Sequence, residues 1–488
     1  MRLWTATRRQ PGRDWILPCQ PFVLTVSHKT RSLVDLSRPP APTLDRLTGP
    51  FQENRCVPSS IIATLASAAL VFAAGCADGA DKDEDAWQAS IETVRSVTTV
   101  RTLSGSVWQD TAILCEQASI GAVEGEEVYL LGNVVGVAAH GDRIYVLDEQ
   151  VPVLRAYDFH GRHVRDIGRK GDGPGEFRNP AGVGVSCDGL IFVHDGSQGR
   201  ISVFTADGEF VETRRTRPFN TYVPPLKVSH DGIPYIPELM NPADPIHLWK
   251  TAMVGYGPNG PVGDTLAPPE FAYEPPRLPA QGERSVSYNI VPFAPRLVWT
   301  MTPSRATVAG VPEDYRFQVR HADGKTTLIE KASWEPVPVL ADEAAWHRRF
   351  MTVMNRAVEP GWVWNGPPIP EHKPAYSHLV GDRSGRIWVA RPGPGERLEG
   401  GTEDSQNPGD FWFNPLWRDG LLVDVFEETG RYLGPVKVPT GIRFSVPQPY
   451  IEGDLVVAVV IGEHGAQYVR RYRLMLRTEH RPAELGLE

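Results

Sequence analysis

Six short runs of β-branched and aromatic residues recur along the chain, about every 45–50 residues where insertions do not stretch the spacing. They are "RIYVLD" (143–148), "LIFVHD" (190–195), "IPYIPE" (233–238), "RLVWTM" (296–301), "RIWVAR" (386–391) and "LVVAVV" (455–460). A second run follows each: "VLRAYDFHG" (153–161), "RISVFTADG" (200–208), "AMVGYGPNG" (252–260), "YRFQVRHADG" (315–324), "LLVDVFEETG" (421–430) and "YVRRYRL" (468–474). A more apolar run such as "NVVGVAAH" lies upstream of each pair, and a fourth such as "RHVRDIG" lies downstream of all but the last. Units this small cannot bury their own faces, so each must stack on its neighbours. The 46 glycines and 45 prolines suit a chain of short strands and turns.

Four strands per unit and six units predict an all-β fold, a six-bladed β-propeller with four-stranded antiparallel blades. The segment 168–210, "GRKGDGPGEFRNPAGVGVSCDGLIFVHDGSQGRISVFTADGEF", resembles the NHL repeat almost throughout. Its glycine-rich opening also invites a phosphate-loop reading. Against that, Pro174 removes one N–H, no Gly-Lys-Ser/Thr follows, and strands rather than a helix come next. The resemblance implies instead that this opening is the crossover between blades, with glycines allowing positive φ. The body also resembles a group of exported lipoproteins described as six-bladed β-propellers, most clearly over the first two blades. The last unit lacks a fourth strand, and "SVTTVRTLSG" (96–105) is expected to supply it and close the ring.

Ahead of the propeller, residues 1–56 show neither strand nor helix period and read as disordered, or as preceding the true start. Residues 57–75 hold the apolar run Ile61 to Gly75, whose length suits the h-region of a secretory signal rather than a membrane span. It ends in "AAGC", which resembles a lipoprotein lipobox with Ala73 where Leu is preferred, and so marks Cys76 as a lipidation site. Residues 76–95 read as a tether, 96–476 as the propeller and 477–488 as a tail. Residues 1–75 carry nine Lys/Arg and four Asp/Glu, so the formal charge of −9 becomes −14 for the mature chain. An exported acidic body argues against nucleic acid as a partner. Only Cys115 and Cys187 remain in the body; no CxxC spacing suggests zinc, and a disulfide between the two is permitted by the compartment.

Turns between first and second, and between third and fourth strands are tight, as in "SCDG", "DRSG" and "TADG". The insertions 238–250, 265–284, 331–375 and 391–420 all fall in crossovers or second-to-third loops, which open on one face. Placement on one side of a rigid scaffold is what a binding face looks like. Within it, 342–357 predicts a helix burying Ala345, Trp346, Phe350, Val353 and Met354. The aromatics Phe411, Trp412, Phe413 and Trp417 are expected mainly to pack their loop. Residues beginning the inner strands, Asn133, Asn179, Tyr222, Tyr288, Tyr376 with His378, and Arg443, are expected to ring the channel mouth as ligand contacts. Arg155 and Arg200 are expected to brace neighbouring blades. No GxSxG, HExxH or EF-hand loop occurs, so no catalytic residue, metal or cofactor is assigned. The leading expectation is a non-enzymatic, lipid-anchored module that binds a peptide, glycan or protein on its long-loop face. A metal-assisted hydrolase or lyase at the channel mouth, and an envelope scaffold, are the alternatives.

Overall fold

The computed structural model describes residues 85–217, 226–283, 285–462 and 465–476. The signal segment, Cys76 and Tyr222 lie outside them. Blade one is Val134–His140, Arg143–Asp148, Val153–Asp158 and His163–Ile167, and blade two is Pro180–Val185, Ile191–Asp195, Arg200–Phe204 and Phe210–Arg215. Blade three is Lys227–Val228, Pro234–Leu239, Thr251–Gly257 and Gly260–Leu266. Blade four is Val298–Met301, Thr307–Gly310, Arg316–Arg320 and Thr326–Lys331. Blade five is His378–Gly381, Arg386–Arg397, Trp417–Glu427 and Tyr432–Lys437. Blade six takes Tyr450–Glu452, Leu455–Ile461 and Gln467–Leu476, with Ala112–Ile120 as its outermost strand.

Second strands read as continuous apolar runs because neighbouring blades cover both of their faces. Between blades one and two, Tyr145, Leu147 and Leu154 pack with Val183, Ile191, Val193 and Phe204. Outer strands meet solvent, and His163–Ile167 buries little beyond Ile167. The recurring aspartate that ends a second strand is an organiser of backbone. Asp148 accepts from the amides of Gly132, Asn133, Gln150 and Val151, and Asp195 from those of Arg178, Asn179 and Gln198.

The ring closes through a different segment from the one expected. Ala112–Ile120 runs antiparallel to Gln467–Leu476, whereas Val97–Ser104 lies parallel to Thr326–Lys331 on the outside of blade four. Gln88–Val94 pairs with Val97–Ser104 as a hairpin, so part of the span read as tether is strand. In blade four "RLVWTM" supplies the inner strand rather than the second; the second is the short Thr307–Gly310.

The glycine-rich crossover is structural. Gly168 and Gly175 have φ of 69° and 71°, and a Cβ on Gly168 would sit 2.4 Å from the Phe177 ring. The Gly173 amide donates to Glu176 Oε2 at 2.8 Å, so a side chain of the loop itself takes an N–H that a phosphate would need. Arg200 donates to the carbonyls of Asp172 and Gly173 at 3.0 and 2.9 Å and to that of Glu176, bracing the crossover. Arg155 is buried with Asp148 and Asp166 at 3.9 and 3.8 Å. Cys115 lies on the outermost strand of blade six, and Cys187 in the first turn of blade two.

Candidate functional site

Three insertions meet on the crossover face over blades four and five. The first, between blades three and four, carries the hairpin Arg277–Gln281 and Val286–Ile290. The second, between blades four and five, carries helix α1 (Ala341–Arg356). The third leaves blade five between its second and third strands and carries the short helix α2 (Pro408–Phe413).

Helix α1 starts where the Leu340 amide donates to Glu343 Oε2 at 3.2 Å, with Asp342 and Glu343 in the first turn and Arg356 in the last, as the helix dipole favours. It buries Trp346, Phe350, Met351, Val353 and Met354; Ala345, expected on this face, is exposed. These side chains join Leu278, Val291, Trp362, Phe411 and Leu416 in a hydrophobic core separate from those of the blades. Polar ties fix the assembly. Trp346 Nε1 donates to Thr402 O (2.7 Å), Trp362 Nε1 to Pro279 O (2.8 Å) and Asn289 Nδ2 to Asn355 Oδ1 (2.8 Å). The polar segment 397–410 is therefore anchored through Thr402 rather than simply exposed. Phe411 lies 5.5 Å from Phe350 with rings nearly parallel, and Trp417 is buried, so both pack the cap.

Between this cap and the blades lies a pocket of about 70 Å³, walled by Ile290, Val291, Phe293, Phe350, Met351, Phe411 and several prolines. Its polar groups are few: Arg296, His347, Tyr376, Ser377 and Asp419. Burial, reinforced by the Lys373 ammonium, holds His347 down to about 3. Both it and His378, held to about 4 by burial and then by Arg296, are neutral imidazoles at neutral pH.

Beneath the pocket, Lys373 Nζ donates to Glu343 Oε1 (2.8 Å), Asp419 Oδ1 (2.5 Å) and Gly393 O (3.2 Å). Lys373 and Glu343 are fully enclosed. Burial outweighs the attraction of Lys373 and raises the Asp419 carboxyl above its ordinary value. Helix, crossover and blade thus share one ammonium.

The described residues among the expected ligand contacts lie in different surroundings. Tyr288 belongs to the insertion hairpin, outside the blades, with its ring centroid 4.1 Å from that of His247. Asn133 donates to Glu149 Oε2 at 2.8 Å, and Asn179 receives its fixed place from Asp195. Tyr376 is buried, donates to Arg316 O at 2.7 Å and lines the cap pocket; His378 follows it with Nδ1 3.0 Å from Ser377 Oγ. Arg443 lies beside the second strand of blade six, its amide bonded to Val459 O. Lys373, Glu343, Asp419 and His347 carried no sequence signal as a group: Glu343 and His347 share one turn of helix α1, but Lys373 comes from the crossover and Asp419 from a strand of blade five, and no common spacing links the three segments. Among the described residues, no group of three His, Cys, Asp or Glu side chains is placed to hold a metal.

A family described as a six-bladed β-propeller matches residues 122–238, which span the first two blades and the start of the third. No curated protein matches. Solved structures similar to the chain include an exported protein from Bacteroides fragilis, at 11% identity over 75% of this chain and 95% of that one, with a TM-score of 0.38. A member of the duf4221 family from Bacteroides vulgatus matches at 10% identity over 75% and 99%, with a TM-score of 0.39. Virginiamycin B lyase from Staphylococcus aureus matches at 9% identity over 70% and 94%, with a TM-score of 0.33. The family match and the four-stranded blades agree, and the chain is a six-bladed β-propeller.

Proposed function

We propose that this propeller is a non-enzymatic, lipid-anchored module acting outside the cytoplasm, which recognises a peptide or protein partner by seating an apolar side chain in the cap pocket. The carrying observation is that three insertions from different places in the chain collapse into one core on one face and leave a lined pocket there. Drifting surface loops have no reason to converge. Ligand pockets combine mainly apolar walls with a few placed polar groups, and the walls here are of that kind. Sugars, which need many hydrogen-bond partners, fit such walls poorly.

The test uses a displayed random-peptide library and a glycan array against the wild-type protein and Ala294→Trp, which puts an indole into the pocket. Peptides with an apolar anchor should be enriched by the wild type, and their affinity should fall roughly tenfold or more in the variant while its fold is retained, as the loss of one buried anchor implies. Glycans but no peptides on the wild type, or peptides held equally by both proteins, would overturn the pocket reading.

The anchor is tested separately. Cys76→Ser should leave the propeller folded and move it from membranes to the soluble fraction, because acyl chains alone would hold it there. Continued membrane association after washing at high salt would refute lipidation at this cysteine.

A further inference from the structure

A second cavity, of about 80 Å³, lies on the propeller axis and is lined from all six blades. Arg383 and Pro303, both in turns between first and second strands, contribute to it, so it reaches the tight-turn face, opposite the cap. Blade six makes it possible. Residues 442–443 of that blade pair with 459–460, and Tyr450–Glu452 pairs with Leu455–Val457. The residues between leave the ladder, and Pro447, Gln448 and Pro449 line the cavity.

Among the described residues, the cavity is lined by two cations, Lys227 and Arg383, and by no carboxylate. Lys227 Nζ reaches across the axis from blade three and donates to Gln448 Oε1 at 2.6 Å, a neutral acceptor that occupies one of its three N–H groups. Arg383 donates to Val228 O at 3.0 Å, and its charge opposes the rise that burial imposes on the Tyr450 hydroxyl. Glu452 lies nearby but accepts from the Tyr450 hydroxyl at 2.7 Å, and the His230 imidazole is held down by burial and by Arg383. Lys227 and Arg383 are half-buried; a partly enclosed cation that meets only neutral acceptors still bears a desolvation cost, and a bound anion relieves it. The remaining walls, Val137, Val185, Leu226 and Ile451, are apolar.

We propose that this axial cavity is a binding site for a small organic carboxylate, its charge between Lys227 and Arg383 and its short apolar body against the valine and leucine walls. The site is independent of the cap pocket. Burial alone holds the Lys227 ammonium down to about 8, in keeping with a cation that has no carboxylate beside it.

Titration of the full-length protein with butyrate, butyramide and inorganic phosphate, followed calorimetrically or by ligand-observed NMR, tests the assignment. Butyrate should bind at least tenfold more tightly than the isosteric amide, because a charge-assisted hydrogen bond discriminates by about that factor. It should also bind more tightly than phosphate. Lys227→Met and Arg383→Gln should each weaken butyrate about tenfold, while Ala294→Trp leaves it unchanged. Acid and amide binding alike, no butyrate binding, undiminished binding in both axial variants, or a preference for phosphate would each overturn the proposal. The acid and amide comparison needs no substitution, so it stands even where a variant fails to fold.

Discussion

A chain truncated to begin at residue 122 is expected to be recovered mainly as aggregate, or to melt on the order of 10 °C lower, while one beginning at residue 107 stays monomeric and loses only a few degrees. The first truncation removes Ala112–Ile120, the outermost strand of blade six. With it go Ala112, Leu114 and Ile120, all buried, and the ladder to Gln467–Leu476. Burying a large aliphatic side chain contributes about 1.5–3 kcal/mol, and the exposed ten-residue strand becomes an open edge. The second truncation removes the hairpin Gln88–Val94 and Val97–Ser104, which adds to an already four-stranded blade. Its first strand is largely exposed, with Ile91 and Val94 in solvent, and of the hairpin's side chains only Val100 and Thr102 are buried, so less core is lost. Thermal denaturation and size-exclusion chromatography of the two truncations decide the matter. Equal behaviour of both would show that the ring does not depend on this strand.

Blade number, strand count per blade and the sidedness of the insertions were all legible because they follow from local pattern: apolar runs bounded by Gly turns at a regular period. Pairing partners were not. "VTTVRTLS" and "AILCEQAS" are equally good strands, and nothing in either states which sheet it joins or in which direction. The inner strand of blade three is only Lys227–Val228, and the second strand of blade four is the four-residue "TVAG", too short to carry a period. That shortness moved "RLVWTM" one position in its blade and placed Tyr288 at a strand start it does not occupy. Helix α1 was legible from its apolar spacing, yet its most consequential buried residue is Glu343, which lies on the same face as Trp346 and Phe350 but is charged and so does not read as core. The cap pocket and the axial cavity were hidden for a related reason. Both are made by residues from distant segments, such as Lys227 meeting Gln448, whose meeting depends on ring closure and on the course of residues 444–449.

Replacing Lys373 by methionine should destabilise the protein by roughly 3–5 kcal/mol at neutral pH, the cost of leaving buried carboxylates without their cation. Lys373 joins Glu343 of helix α1 to Asp419 of blade five, so its loss should loosen the cap before the blades, seen as protease cleavage within residues 332–377 and in the 398–416 excursion. The pH dependence follows from Asp419. Its folded carboxyl already titrates above the ordinary value of 3.8, and removing Lys373 takes away the influence that lowers it. An acid whose folded pKa is raised binds more protons folded than unfolded, so its contribution is fully present below about pH 3.8 and is lost as pH rises through the folded value. The deficit of Lys373→Met relative to wild type should therefore be greatest near pH 7 and shrink on acidification toward pH 4. Denaturant titrations of the two proteins at several pH values measure this directly. A deficit that stays constant across that range would mean the methionine harms the cap by its shape alone, and that Glu343 and Asp419 do not need the ammonium between them.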